Sequence, residues 1–262
     1  MPDTVPHPED TPRLELGLGL IGIGRPWPRD EDAVCSVEQA WTLLDQAIGL
    51  GIRFFDTAAA YGSSERVLGE YLRTIPGEQR AELLIATKCG EVWPKAEADA
   101  VDHSIGALEA SFDRSAGLLG RIDLLQLHKC TVDDMRDDSL LAWFTSLRAA
   151  GRVGAIGVSV STPEALRAAV ATEVFDTVQF PANQSGTVLS EAYAQESTGC
   201  LPLLNRPMAS GALADSPNPF RFHADTFRRG VVLTGTTNTV HLARNKALFD
   251  EAVAAVPSPK EF

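Results

Sequence analysis

The sequence predicts an α/β protein built as one single-domain (β/α)8 TIM barrel, and three observations carry that expectation. Short apolar runs alternate with helical patterns eight times between Leu14 and the C-terminal end. The repeat is about 30 residues, the spacing of a barrel built from strand–helix units. The runs are apolar throughout rather than alternating, as strands covered on both faces should be. With 262 residues, 44% of them hydrophobic, the chain can bury one large core. An open, doubly wound sheet would struggle to hold eight such units in a domain of this length.

Taken in order, residues 1–13, with Pro2, Pro6, Pro8 and Pro12, read as a disordered leader, and residues 14–262 as the barrel. The first strand is expected from Leu14 to Ile23. Its Gly17-Leu18-Gly19-Leu20-Ile21-Gly22 matches the GxGxxG spacing of dinucleotide-binding turns, but Arg25-Pro26-Trp27-Pro28 follows where that fingerprint requires a helix. The glycines therefore read as a tight barrel strand. Ser36 to Leu50 is helical, with Ser36 as N-cap and Gln39 completing a capping box. Strand Ile52 to Asp56 precedes a helix from Ser64 to Arg73; strand Glu82 to Lys88 precedes one across Val101 to Leu118. Ile122 to His128 leads to a helix from Leu140 to Ala150. After Gly151-Arg152 comes Val153 to Ser159, and Thr162-Pro163-Glu164 opens the next helix with a cap and a first-turn proline. The last units are Asp176 to Phe180 with Val188 to Glu196, Cys200 to Met208 with a weak helix over Phe220 to Arg229, and Val231 to Thr234 with Thr239 to Ala255.

Composition narrows the function. A net charge of -12 and a pI near 4.8 disfavour nucleic-acid and anionic-membrane partners, which need a basic face. Cys35, Cys89, Cys130 and Cys200 form no CxxC pair, which points to reduced thiols and a cytoplasmic location rather than a disulfide frame or zinc site. The acidic loop Asp133-Asp134 and Asp137-Asp138 reads as solvated charge.

In a barrel, Asp56, Lys88 and His128 stand at the tips of strands two, three and four, and Tyr61 hangs from the loop after strand two. Converged, they suit acid catalysis. An ammonium beside a phenol lowers its pKa from about 10, Asp56 would hold Lys88 charged, and His128 would share a proton with a substrate oxygen.

At these residues the sequence resembles the aldo-keto reductases. The likeness runs through Gly51 to Glu65 (GIRFFDTAAAYGSSE), Ala86-Thr87-Lys88, Leu125 to His128, Gly151 to Ser159, Val178-Gln179 with Asn183, Arg206 to Gly211, and Gly235 to Asn238 with His241, Leu242 and Asn245. The resemblance implies a barrel that binds a nicotinamide cofactor, NADPH in preference to NADH, and reduces a small-molecule carbonyl substrate, an aldehyde, ketone or keto-sugar. It makes Asp56, Tyr61, Lys88 and His128 the catalytic four, with Tyr61 as the acid. Ser159 and Gln179 would hold the nicotinamide. Arg206 would bind the cofactor, Met208, Ala209, Ser210 and Gly211 would line its pyrophosphate, and Gly235, Thr236, Thr237, Asn238 and Asn245 the adenosine end. His241 and Arg244 are the nearest groups for a 2′-phosphate.

Trp27, Trp93 and Phe180 follow strands one, three and six and are candidates for the substrate wall; no metal site is expected. Val160 stands after Ser159 where many relatives carry asparagine, the Gly211 to Val231 span is short, and the chain stops just past the last helix. Val160 and the short span motivate one alternative, a cofactor-binding regulatory or catalytically weak member of the family; a second alternative is a non-redox dehydratase, isomerase or cyclase that reuses Tyr61 and Lys88.

Overall fold

The computed structural model describes residues 14–26, 34–91, 101–196, 198–213 and 215–256. Trp27, Trp93 and the proline-rich leader lie outside them.

The elements run β1 (Leu14–Gly19), α1 (Ile21–Gly24), α2 (Val37–Gly49), β2 (Phe54–Asp56), α3 (Ser64–Leu72), α4 (Gly77–Ala81), β3 (Leu84–Cys89), α5 (Ile105–Leu119), β4 (Leu124–Leu127), α6 (Asp138–Ala149), β5 (Ala155–Ser159), α7 (Pro163–Ala171), β6 (Thr177–Pro181), α8 (Val188–Gln195), β7 (Leu201–Asn205), α9 (Arg221–Thr226), β8 (Gly230–Gly235) and α10 (Thr239–Ala254). All eight strands are parallel to their neighbours and close in sequence order, with β8 pairing β1. The expected first strand is shorter than its apolar run. It ends at Gly19, and Ile21–Gly24 turns helical because the strand's own partner, β2, is already at its tip where Gly19 meets Asp56.

Local signals act as expected at two helix starts. Ser36 accepts from the Gln39 amide at 3.2 Å while Gln39 Oε1 accepts from the Ser36 amide at 3.0 Å, which satisfies two donors that the helix leaves over. Thr162 accepts from the Ala165 amide at 3.2 Å, with Pro163 beginning the helix. Two short helices, α1 and α4, were not legible. Each is under two turns, too short for a 3.6-residue period to show.

Side-chain alternation along the strands separates two cores. Phe54, Ala86, Leu124, Ala155, Leu203, Val231 and Leu233 fill the barrel, while Phe55, Ile85, Leu125, Ile156 and Val178 belong to the larger core under the helices. Gly17 faces inward where the space is already filled, since a Cβ there would sit 2.8 Å from Val231 and 2.9 Å from Leu233. The same parity decides what reaches the mouth. Above Phe54 comes Asp56, above Ala86 comes Lys88, above Leu124 come Gln126 and then His128, and above Ala155 come Gly157 and Ser159.

Candidate active site

Asp56 and Lys88 meet inside the top of the barrel. The Lys88 ammonium donates to both Asp56 oxygens at 2.7 and 2.6 Å and to the Thr57 carbonyl at 2.9 Å, and it lies 3.4 Å from the Tyr61 hydroxyl. Lys88 is 1% exposed and Asp56 2%. Burial alone would depress the Lys88 pKa, but the Asp56 carboxylate and Tyr61 outweigh it and leave it raised. The ammonium is therefore permanent at neutral pH. Behind it, Thr87 faces outward and donates to the buried Glu65 of α3 at 2.5 Å, which fastens the tip of β3 from its other face.

Tyr61 is held by backbone rather than by its ring. Gly62 takes φ +60°, and a Cβ at Gly24 would strike the Tyr61 carbonyl while one at Gly62 would strike the Gly24 carbonyl. The Ser63 amide donates to that same Gly24 carbonyl at 3.1 Å. This close approach of α1 to the β2–α3 loop sets the ring over the ammonium, with Lys88 Nζ 4.9 Å from its centroid. The Arg25 guanidinium stands 5.7 Å from the centroid and the His128 ring packs edge-on, centroids 5.9 Å apart. The expected lowering of the phenol pKa is overturned. The ring edge reaches the surface, but its surroundings are dense, and burial outweighs Lys88 and Arg25 so that the pKa is raised. Tyr61 is a proton carrier at neutral pH, not a phenolate.

At His128, burial comes first and then Lys88, Lys129, Arg25 and His103, all of which hold the imidazole pKa well below its usual value. Its ring is neutral. Of the four residues expected to converge, Asp56 and Tyr61 meet the Lys88 ammonium directly and His128 joins them through the Tyr61 ring.

Sequence reasoning missed Gln126 and Glu91. Gln126, fully buried, donates to Asp56 Oδ1 at 3.2 Å. It lies two residues before His128, so strand alternation placed it on the same inward face. Glu91 follows β3 and meets Lys129 at 2.7 Å and the His128 ring at 3.0 Å.

The other half of the mouth is built from β5 to β8. Gln179 reaches Asp56 Oδ2 at 3.4 Å through its amide nitrogen, and its Oε1 is buried without a hydrogen-bond partner among the described residues. Ser159 ends β5 in register with Gln179, and Val160 is buried against it, its amide donating to the Gln179 carbonyl at 2.9 Å. After β7, Arg206, Ala209 and Ser210 all take left-handed φ near +50°, followed by Gly211 at +96°. Such strain in non-glycine residues persists where surrounding structure fixes it and gathers at ligand-holding turns. Met208, Gly235, Thr236, His241, Arg244 and Asn245 line one cleft of about 140 Å³, with Ser216, Pro219 and Leu248 added. Asn238 caps α10, accepting from the Val240 and His241 amides at 2.8 and 3.1 Å, and Thr236 accepts from the Asn238 amide at 3.0 Å. The start of α10 therefore faces this cleft with a fixed geometry. Thr237 packs beside Gly22, and Asn245 spends one amide hydrogen on Thr234 at 2.9 Å.

Phe180 is a correction. It follows inward-facing Gln179, so the pleat turns it outward, and it is fully buried between β6 and α8 with its ring 5.5 Å from Tyr193 and 6.3 Å from Phe227. It cannot form a substrate wall. A larger cleft, about 490 Å³, lies beside Tyr193, Phe227, Arg228 and Arg229. Those residues precede β7 and β8, at the N-terminal face of the barrel and away from the four catalytic candidates. In the loop after β4, Asp134 accepts from Thr131 and from His103, and Asp137 caps α6.

Residues 15–216 match the model of the aldo/keto reductase family. The chain belongs to that family. It is 30% identical to a D-threo-aldose 1-dehydrogenase of Pseudomonas sp., over 77% of this chain and 68% of the relative, and 30% identical to the uncharacterised oxidoreductase YqkF of Bacillus subtilis, over 58% of this chain and 47% of the relative. The match to the Bacillus protein thus spans about half of that relative's length. A candidate aldo-keto reductase from Pseudomonas aeruginosa superposes with a TM-score of 0.76 at 28% identity, covering 91% of this chain and 90% of its own.

Proposed function

We propose that the protein is a nicotinamide-dependent carbonyl reductase that uses NADPH and acts on a small aldehyde, ketone or keto-sugar. The observation that carries the reading is one ammonium, Lys88, joined to the Asp56 carboxylate and to the Tyr61 hydroxyl at once. The bound nicotinamide supplies the hydride.

Everything else falls to the chain. Negative charge gathers on the carbonyl oxygen as reduction proceeds, and Tyr61 gives it a proton. The departing proton leaves a phenolate beside Lys88, whose charge stabilises it in a site partly closed to water. Asp56, held by Lys88, Gln126 and Gln179, keeps that ammonium oriented. A raised phenol pKa makes Tyr61 a reluctant donor, so the attraction of Lys88 for the forming phenolate has to supply the drive.

The residues present suit the cofactor. Gln179 Oε1 is an orphaned buried acceptor, the left-handed turn at Arg206, Ala209, Ser210 and Gly211 suits a pyrophosphate, and the 140 Å³ cleft ends on exposed Arg244 and His241. Arginine favours a phosphate through its fork of donors, which supports NADPH over NADH. Titration with each dinucleotide, followed by a carbonyl panel read at the nicotinamide absorbance, tests the reading. Tighter binding of NADPH with turnover of at least one carbonyl is expected; binding of neither dinucleotide contradicts it.

A further inference from the structure

Glu91 stands where nothing in the reaction so far requires a carboxylate. It is 4% exposed and sits just past the β3 tip, directly after Gly90, whose φ is +98°. A Cβ at Gly90 would press to 2.7 Å on the His103 ring, so the turn is tight. His103 in turn bridges Asp134 Oδ1 at 2.7 Å and the His128 carbonyl at 2.9 Å, and Glu91 pairs with Val101 across the loop. From the other side Lys129, in left-handed backbone at φ 55°, brings its ammonium to 2.7 Å from Glu91 Oε1. The second carboxylate oxygen is left 3.0 Å from His128 Nδ1, too far off the N–H axis to count as an aligned hydrogen bond but well inside contact.

Two acceptors cannot rest at that separation. If Nδ1 carried only its lone pair, the partial negative charge of that nitrogen would lie 3.0 Å from carboxylate oxygen charge in a buried setting, and the pair would repel, whereas a proton there is attracted even off axis. The groups facing the ring are otherwise the cations Lys88, Lys129, Arg25 and His103 and the Tyr61 ring edge, and they oppose a second proton on it. One proton is therefore available to two nitrogens.

We infer that Glu91 is a positioning residue that draws the single imidazole proton of His128 to Nδ1 and leaves Nε2 as a bare acceptor. The consequence for chemistry rests on the function proposed above. A carbonyl oxygen then has Tyr61 as its proton donor, while Nε2 accepts a hydrogen bond from a substrate hydroxyl beside the reacting carbon. Hydroxy-carbonyl compounds and polyols are the class this favours.

The tautomer can be read without cofactor or substrate, so its failure and that of the reductase reading are separable. Imidazole 15N spectra of the full chain labelled at histidine, with the His128 signals assigned from His128→Asn, should show the Nδ1–H form in the unmodified protein. In Glu91→Gln, Lys129 should hold the amide oxygen and turn the amide hydrogens toward Nδ1, and the ring should change to the Nε2–H form. In Lys129→Ala, whose side chain is 47% exposed in the parent, Nδ1–H should persist while the His128 titration moves up, because a facing cation is gone. An Nε2–H ring in the unmodified protein overturns the inference whether or not either variant folds, and an unchanged tautomer in folded Glu91→Gln overturns it as well.

Discussion

The two halves of the barrel mouth are built differently. Across β2 to β4 the charged groups already satisfy one another: Lys88 donates to the buried Asp56, which also accepts from Gln126, with Tyr61 pinned over them by the Gly24–Gly62 approach, and only Gln126 Oε1 and His128 Nδ1 are left there without an aligned partner among the described residues. Across β6 to β8 the polar atoms are left over or strained. Gln179 Oε1 and Asn205 Oδ1 have no partner among the described residues, and the turn after β7 holds three non-glycine residues at positive φ. A proton-transfer site gains from groups fixed before substrate arrives, since no reorganisation is then needed during reaction. A dinucleotide-holding site gains from groups that the ligand itself completes.

Breaking the closed half should cost most. Lys88→Met leaves the Asp56 carboxylate buried without its cation, and loss of one partner of a buried pair destabilises by about 3–5 kcal/mol. Urea denaturation should show that loss, together with no measurable turnover. Next comes acid. His223 in α9 is fully buried, its Nε2 bonded to the Ala182 carbonyl at 2.9 Å, and burial pushes its pKa down to about 4 from 6.5. The unfolded chain takes up a proton near pH 6.5 that the folded chain refuses until about pH 4, so stability is full above that window and falls as pH drops through it. The difference corresponds to about 3 kcal/mol. Thermal unfolding between pH 7 and 4 should show this slope, and His223→Gln should flatten it. The smallest effect belongs to the open half. Arg244→Ala should weaken NADPH binding by about 10- to 100-fold, the worth of a charged hydrogen bond, and leave NADH binding within about threefold. An equal loss for both dinucleotides would move the phosphate contact elsewhere.

What the sequence made legible follows the same division. Asp56, Lys88 and His128 end consecutive apolar runs, and a barrel brings the ends of such runs to one rim whatever the details of packing. Their convergence could therefore be read from order and spacing. The sense of the Tyr61 pKa could not, because it depends on how closely α1 and the loop after β2 pack, a balance of burial against charge that no local pattern records. Phe180 was legible and misread. Placing Gln179 inward had already assigned its neighbour to the outer layer. Glu91 and His103 stand in the segment between β3 and α5, outside any apolar run, and nothing in their spacing links them to His128.

Substitution of Tyr61 by phenylalanine separates the two halves most directly. The variant keeps the ring, its approach to Lys88 and every residue of the 140 Å³ cleft, and loses one hydroxyl. NADPH should bind the Tyr61→Phe protein within about threefold of the parent, while single-turnover carbonyl reduction falls by about 10²- to 10⁴-fold, the range for loss of a positioned acid. Reduction at the parent rate with the cofactor bound would contradict the account.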